Sequence, residues 1–534
     1  MSNDKKKIVI VGAGMAGLTA AAYLTRQNYN VLLLEKNDRY GGLLHTFDYD
    51  GFSFDSGPRA FINSGIVKPI FKDLGIDCDY LENKISIGIE DQMVRVNSLE
   101  SLQEYKRIML QLYPEKSADI EKIFSYMHKL SEHTKVLYEF DNPNFGDIMS
   151  DKKFVVKKLL PWTFKFLNAL RNFNKFSMPM EKFMESLTDS QPIIDVLTQF
   201  FFRMTPTYFA LGYFYVYLDY FYPRIGTIAL PKLLAQKIQQ GGGEIQLNTR
   251  VVAVDPSTST VTDAEGRQYS YDHLIWAADL KTLYRTVNPA GLDSKTAQSI
   301  AVETRRVLAA KGAESVFILF LGVDRPLSYF QARGGEHLFY TPSRKGLGET
   351  NQAARENLLQ NFEQKSREEI FAWLDDFCRY NTFEVSIPAL RDPDLAPEGK
   401  TGVMISCLFD YAMYEKIQKA GFYDEFKKTM EDKIINIFSE TLYQGFADDV
   451  LFRFSATPLT IREAIGSSEG AITGWSFETT PPVVNKLTEL AKSARTPIPG
   501  VLQAGQWAYA PAGVPIAMMT GWYAVQEIVK QSGK

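Results

Sequence analysis

Residues 7–42 read KIVIVGAGMAGLTAAAYLTRQNYNVLLLEKNDRYGG, and this stretch decides the fold. Ile8, Val9, Ile10 and Val11 form a continuous apolar run, the pattern of a strand buried on both faces. Gly12, Gly14 and Gly17 follow in G-x-G-x-x-G spacing and open a helical pattern over residues 15–25. Gly12 permits the tight turn, Gly14 lets a pyrophosphate approach the backbone at a helix N-terminus, and Gly17 lets the helix lie close to the strand. A second strand over residues 31–34 ends at Glu35, where a carboxylate can accept from a ribose hydroxyl. Strand, glycine turn, helix, strand and acid together predict a dinucleotide-binding βαβ unit.

NAD and FAD both use such a unit, and residues 38–42, DRYGG, choose between them. The glycine pair Gly41-Gly42 just after the ribose acid suits a second close approach of backbone to phosphate, with Arg39 available for charge. The predicted cofactor is FAD. This element resembles the arginine-glycine-glycine motif that follows the ribose acid in flavoproteins of the amine oxidase and phytoene desaturase superfamily.

The resemblance continues along the chain. Residues 51–58, GFSFDSGP, are similar to the superfamily's segment under the flavin. Residues 222–226, YPRIG, a helix through Leu234, residues 241–245, GGGEI, and residues 251–254, VVAV, resemble its central return into the FAD domain. Residues 504–507, AGQW, and 511–515, PAGVP, resemble the closing motif of phytoene desaturases, carotenoid isomerases and retinol saturases. The chain departs from that pattern at Ala512, where a glycine is usual before Gly513 and Val514, and at Ile225, where a glycine is common.

The resemblance implies an α/β fold: a Rossmann-type FAD-binding domain with an interleaved substrate domain of mixed β-sheet and helices. The FAD portion is expected at residues 1–90, 223–287 and 456–534, and the substrate and membrane-associating portion at 91–222 and 288–455. Strand patterns at 315–322 and 402–409 suit the mixed sheet. Cofactor contacts are implied at Gly12, Gly14, Met15, Ala16, Gly17, Glu35, Lys36, Arg39, Gly41, Gly42, Leu43, Gly57, Pro58 and Arg59. Val252 would lie beside the adenine, and Gly505, Gln506, Gly513, Val514 and Pro515 would contact the ribityl and ring, with Pro515 starting a final helix. Arg59 would either place positive charge near the flavin ring or pair with a carboxylate, and Asp55 would order its loop.

Composition agrees. A chain of 534 residues exceeds one ordinary core, and a net charge of -4 excludes a globally basic nucleic-acid binder. Cys78, Cys378 and Cys407 have no paired spacing, so neither a disulfide framework nor a zinc site is expected. His45, His128, His133, His273 and His337 have no metal-ligand spacing, and no metal is expected. Strand-forming residues begin directly after Lys5, Lys6 and Lys7, which leaves no room for a removable signal peptide and predicts a cytoplasmic protein.

Residues 152–178 combine bulky apolar side chains with unopposed lysines and arginines. With Pro161 as a first helical residue, Trp162, Phe166, Ala169, Leu170, Phe173 and Phe176 recur at helical steps, with Lys165, Arg171 and Lys175 largely opposite. The expectation is a helix lying on a membrane surface, at the inner face of the membrane. A second aromatic concentration, residues 200–222, reads as a packed helix or as the lining of an apolar tunnel.

These readings converge on an FAD-dependent oxidoreductase acting on carbon-carbon bonds of an apolar polyene or isoprenoid, as a desaturase or saturase. The alternatives are a flavin-dependent cis/trans carotenoid isomerase, an amine oxidase, and a non-enzymatic flavin-containing lipid-binding protein. The amine oxidase motif carries an acid where this chain has Gln506, and amine substrates are polar.

Overall fold

A computed structural model describes residues 5–145, 152–348 and 352–532. The opening strand, Lys7–Val11, lies at the centre of a five-stranded parallel sheet ordered Glu244–Gln246, Asn30–Leu34, Lys7–Val11, His273–Trp276, Val501–Gln503. Ile8, Val9 and Ile10 are fully buried, as a strand covered on both faces requires. The helix Met15–Arg26 packs against the final helix, Val514–Gln531, where Gly521 lets the two backbones meet at Ala16. An antiparallel meander, Val251–Asp255, Thr260–Asp263 and Gln268–Ser270, adjoins the sheet. Three sequence-distant segments therefore build one nucleotide-binding body.

The second body rests on a seven-stranded sheet, ordered Val450–Ala456, Ser315–Val323, Thr401–Phe409, Phe383–Ser386, His337–Thr341, Ile85–Ile89, Gln92–Val96. Every pairing is antiparallel except His337–Thr341 with Ile85–Ile89. Strand side chains alternate between faces, so one set, including Phe317, Leu319, Val385 and Ile405, joins the core with the helices Arg367–Tyr380 and Tyr423–Glu440. The other set faces inward, where Ile318, Phe320 and Met404 meet Phe52 and Phe54.

The strand Ile85–Ile89 moves the expected domain boundary at residue 90 to a point before Ile85. Its sequence is apolar enough for either body, and only its pairing with a distant strand assigns it. A small sheet of Phe61–Ile62, Tyr220–Pro223 and Tyr80–Glu82 joins the two bodies.

Helices Ser101–Leu112, Ser117–Leu137, Leu160–Asn174 and Thr207–Val216 cover one end of the inner face. The expected membrane-facing stripe is turned inward. Trp162 donates to the carbonyl of Val136 at 2.7 Å, Ala169 and Phe173 are buried, and the Phe173 ring lies 5.1 Å from that of Tyr208. Phe166 stacks on Trp162, Leu170 is half-buried, and Phe176 meets Tyr126 edge-on. Exposed instead are Val156 (63%), Leu160 (54%), Phe164 (69%) and Leu167 (52%). Pro161 does not begin the helical run either: Lys152–Phe154 and a π turn, Val155–Leu159, precede it. Two apolar stripes share this helix, and tertiary packing against Ser117–Leu137 claims the one with the indole.

Candidate functional site

The glycine loop is built as its spacing predicts. Gly12 adopts a positive φ of 103°, and a side chain there would strike the carbonyl of Ala277. Gly17 sits beneath the carbonyl of Gly12, leaving no room for a Cβ. Gly14 differs: a Cβ there would meet nothing within 4 Å. That open space lies at the N-terminus of Met15–Arg26, where the first amides of a helix, including those of Met15 and Ala16, lack helical partners. It is a place shaped for an anion.

The second glycine pair lies alongside. Gly41 donates to the carbonyl of Ala13 at 2.8 Å, and a Cβ on Gly42 would reach the Cα of Gly14 at 3.3 Å. Glu35 accepts from the amide of Ala13 at 2.8 Å through Oε2 and from that of Asn37 at 3.0 Å through Oε1. Burial raises its pKa, and the two amides oppose that shift. A carboxylate oxygen has lone pairs to spare beyond one amide, so Glu35 can still take ribose hydroxyls. Arg39 makes only a loose, half-exposed pair with Asp38 at 3.6 Å. Lys36 points elsewhere, packing on Gly466 and donating to the carbonyl of Glu463 at 3.4 Å. Val252 is 41% exposed on its strand.

At the other end, Gly57 packs on the carbonyl of Leu43, with Pro58 following. Gly505 donates to the hydroxyl of Thr520 at 2.8 Å and lies against Ala16, and Gln506 donates to the carbonyl of Ala471 at 3.4 Å. Gly513 caps the helix that begins at Val514 and Pro515, and a Cβ on Gly513 would meet only the ring of Pro515, at 3.9 Å. Two open helix N-termini and a ribose acid fit an extended dinucleotide. Arg59 adds donors: it is 6% exposed, Nη1 donates to the carbonyl of Gly57, and Nε and Nη2 have no partner in the protein. Asp55 orders this loop, accepting from Thr46, Tyr222 and Thr227 at 2.7 to 2.9 Å. His45 leaves Nδ1 buried without a partner, and burial lowers its pKa.

A polar network that no motif announced lies beyond Arg59. Arg391 donates to the carbonyl of Arg59 at 2.6 Å, to Asn83 Oδ1 at 2.7 Å and to Ser386, with its cation 4.1 Å from the Tyr222 ring. Arginine carries only donors, so Asn83 must present its oxygen to Arg391 and its Nδ2 to His337 Nδ1, 3.1 Å away. The imidazole proton is therefore on Nε2, which donates to Glu384 Oε1 at 2.9 Å. Ser406 donates to Glu384 Oε2 at 3.3 Å. Burial pushes the His337 pKa down and keeps the ring neutral. Burial alone would raise that of Glu384, but the His337 hydrogen bond and the positive charge of Arg59 override it and hold the carboxyl below the usual carboxylate range.

Glu384 stands in a register row across the inner face, Ile87, Phe339, Glu384, Ser406. Phe339 and Thr382 also line an apolar cavity with Ile87, Phe200, Phe201, Tyr213 and Tyr217. In the aromatic run 200–222, Thr207–Val216 packs on Ser117–Leu137 as a core helix, and its rings, with Phe200 and Phe201, wall an apolar cavity. The site missed from sequence is this row. One glutamate in the strand sequence FEVS and one histidine in HLFYT were its only traces. Among the described residues no cluster of His, Cys, Asp and Glu could hold a metal ion.

A fold of this kind is widely shared. The model of the flavin containing amine oxidoreductases matches residues 15–529. A phytoene desaturase of Fusarium fujikuroi is 22% identical over 571 aligned residues, covering 100% of this chain and 91% of that protein. A 4,4'-diapophytoene desaturase of Staphylococcus aureus is 22% identical over 75% of this chain and 74% of its own, and a 4,4'-diapolycopene oxygenase of Methylomonas 25% over 61% and 64%. Among solved structures, a putrescine oxidase variant superimposes with a TM-score of 0.59 at 12% identity over 99% of both chains. Reduced UDP-galactopyranose mutase gives 0.52 at 14% over 99% and 97%.

Proposed function

The chain belongs to the flavin containing amine oxidoreductase family, and on that premise we propose that it is an FAD-dependent desaturase of an apolar polyene. The observation that carries this reading is the cavity walled by Phe200, Phe201, Tyr213, Tyr217 and Phe339, which offers a long hydrocarbon aromatic and aliphatic surface rather than charge. The names of the relatives, two of them desaturases of such compounds, support it. FAD, when bound, supplies the two-electron acceptor that hydrogen removal needs. The protein's part is to hold the chain in place, keep water out and receive a proton. Incubating the holoprotein without oxygen with phytoene and 4,4'-diapophytoene should yield products lacking two hydrogens for each new double bond. A product of unchanged mass would make it an isomerase instead.

We propose further that the protein collects this substrate from the cytoplasmic face of a membrane. The outward stripe of Val156, Leu160, Phe164 and Leu167, flanked by Lys157, Lys158, Lys165 and Arg171, supports docking on an anionic bilayer. Unpaired Cys78, Cys378 and Cys407 suit a reducing compartment. Among the described residues no helix is long and apolar enough to cross a membrane. Vesicles containing anionic lipid should sediment the protein, and added salt should weaken that binding.

A further inference from the structure

Glu384 occupies an unusual position for an acid. It lies in the middle of a sheet, in a row with Ile87, Phe339 and Ile318, and Met404 stands in the next row on the same face. Buried carboxylates normally have a cation in direct contact. Among the described residues no lysine or arginine nitrogen lies within ion-pair distance of this one; its neighbours are the neutral His337 and Ser406. Protein surrounds it, yet 30% of its side chain is accessible, and Ile87 and Phe339 of its own row line the apolar cavity.

We propose that Glu384 is the proton acceptor of the desaturation, its accessible carboxylate oriented by His337 beside the apolar cavity that Phe339 and Ile87 line. This rests on the polyene reading above. The carbon-hydrogen bond next to the carbon that gives up hydride breaks, and its electron pair becomes the second bond of the new double bond. The proton forms an O–H bond with the Glu384 carboxylate, while the hydride goes to the two-electron oxidant, oxidised flavin. As hydride departs, positive charge develops on the hydrocarbon, and an adjacent proton becomes strongly acidic. A carboxylate that stays ionised, though a weak base, suffices for such a proton and also attracts the developing charge. His337 is a positioning residue: the Arg391–Asn83–His337 chain fixes its tautomer so that it donates to Oε1, and with Ser406 on Oε2 each carboxylate oxygen keeps a lone pair for the proton. Arg59 and Arg391, the cations facing the pair, keep the carboxylate ionised without covering it.

The test uses a mimic of the positive charge. N,N-dimethylfarnesylamine, protonated at neutral pH, and the neutral hydrocarbon of the same shape are titrated into the holoprotein and into Glu384→Gln and Glu384→Asp variants. The wild type should prefer the amine. Glu384→Gln should weaken the amine about 10-fold to 100-fold, the loss expected for a charge-assisted contact, and leave the hydrocarbon unchanged. Turnover should fall about 100-fold or more with flavin content intact, and Glu384→Asp should restore part of both. His337→Gln should lower turnover while sparing hydrocarbon affinity. Equal affinity of the wild type for both ligands would overturn the proposal whether or not any variant folds. Loss of both ligands together in Glu384→Gln, or undiminished turnover, would also overturn it, by making Glu384 structural or idle. Binding of neither ligand to the wild type would instead refute the apolar-substrate reading, and this proposal with it.

Discussion

In the five-stranded sheet the functional atoms are backbone amides at strand ends and helix N-termini; in the seven-stranded sheet they are side chains in the middle of one face. The first arrangement constrains residue identity tightly. At Gly12 and Gly17 a Cβ collides with protein, and at Gly14 it would enter open space at a helix N-terminus, where an anion can approach the backbone, so the spacing of glycines is tightly constrained. The second constrains only one position in a register row. Glu384 could be exchanged for an apolar residue with no change in strand pattern, and its meaning depends on which strands lie on either side.

The sharpest way to break this comparison is Gly14→Val. The Cβ of a branched side chain would meet no protein atom within 4 Å, so the fold should persist and the flavin should be lost, read as the ratio of flavin to protein absorbance. A folded variant retaining stoichiometric flavin would mean that the parallel sheet does not hold its cofactor through the backbone.

The next largest effect separates the two stripes of Leu160–Asn174. Changing the buried Phe173 to serine should destabilise the fold by about 3 to 5 kcal/mol, the range for emptying a core aromatic position, and changing the half-buried Trp162 should cost less. Changing Phe164 and Leu167 to serine should alter stability by no more than about 0.5 kcal/mol and instead reduce sedimentation with vesicles. Denaturation midpoints measured beside vesicle binding distinguish the two, and the opposite assignment of effects would restore the stripe predicted from sequence.

Glu35→Ala should act more mildly than Gly14→Val. It removes an acceptor for two amides and for the ribose, and should weaken flavin binding by about 1.5 to 3 kcal/mol, seen as loss of colour on dilution. The smallest effect is expected at Ile225. This residue is 48% exposed and held at a φ of 67°, in the left-handed region that disfavours a β-branched side chain. Ile225→Gly should raise stability by about 1 kcal/mol, measured as a shifted denaturation midpoint with activity unchanged. No gain would mean that the Ile225 side chain contributes contacts that offset its strain.

What the sequence disclosed follows from the same contrast. The glycine loop, the closing helix and the interleaved arrangement were all readable, because backbone chemistry demands particular residues at particular steps. The strand Ile85–Ile89 was assigned to the wrong body because pairing between distant strands leaves no local mark. The helix face was misread for a related reason: Leu160, Phe164 and Leu167 repeat at helical steps just as Trp162, Phe166 and Phe173 do, and periodicity does not say which stripe meets Ser117–Leu137. Lys36 follows the ribose acid but is drawn to Glu463, a contact visible only in three dimensions. Arg59 was expected either to bring positive charge to the flavin ring or to pair with a carboxylate; two of its donors have no protein partner, and the acid that feels its charge was not found from sequence, since His337 and Glu384 come from different strands.

The central claim is that the two sheets cooperate on one hydrocarbon, with hydride leaving toward the parallel-sheet body and a proton toward the other. A single turnover of the oxidised holoprotein with phytoene in the absence of oxygen tests it most directly, following flavin absorbance and product together. The account predicts one flavin bleached for each double bond formed, at the same rate as product appears. Product formed while the flavin stays oxidised, or flavin bleached with no change in the polyene, would contradict it.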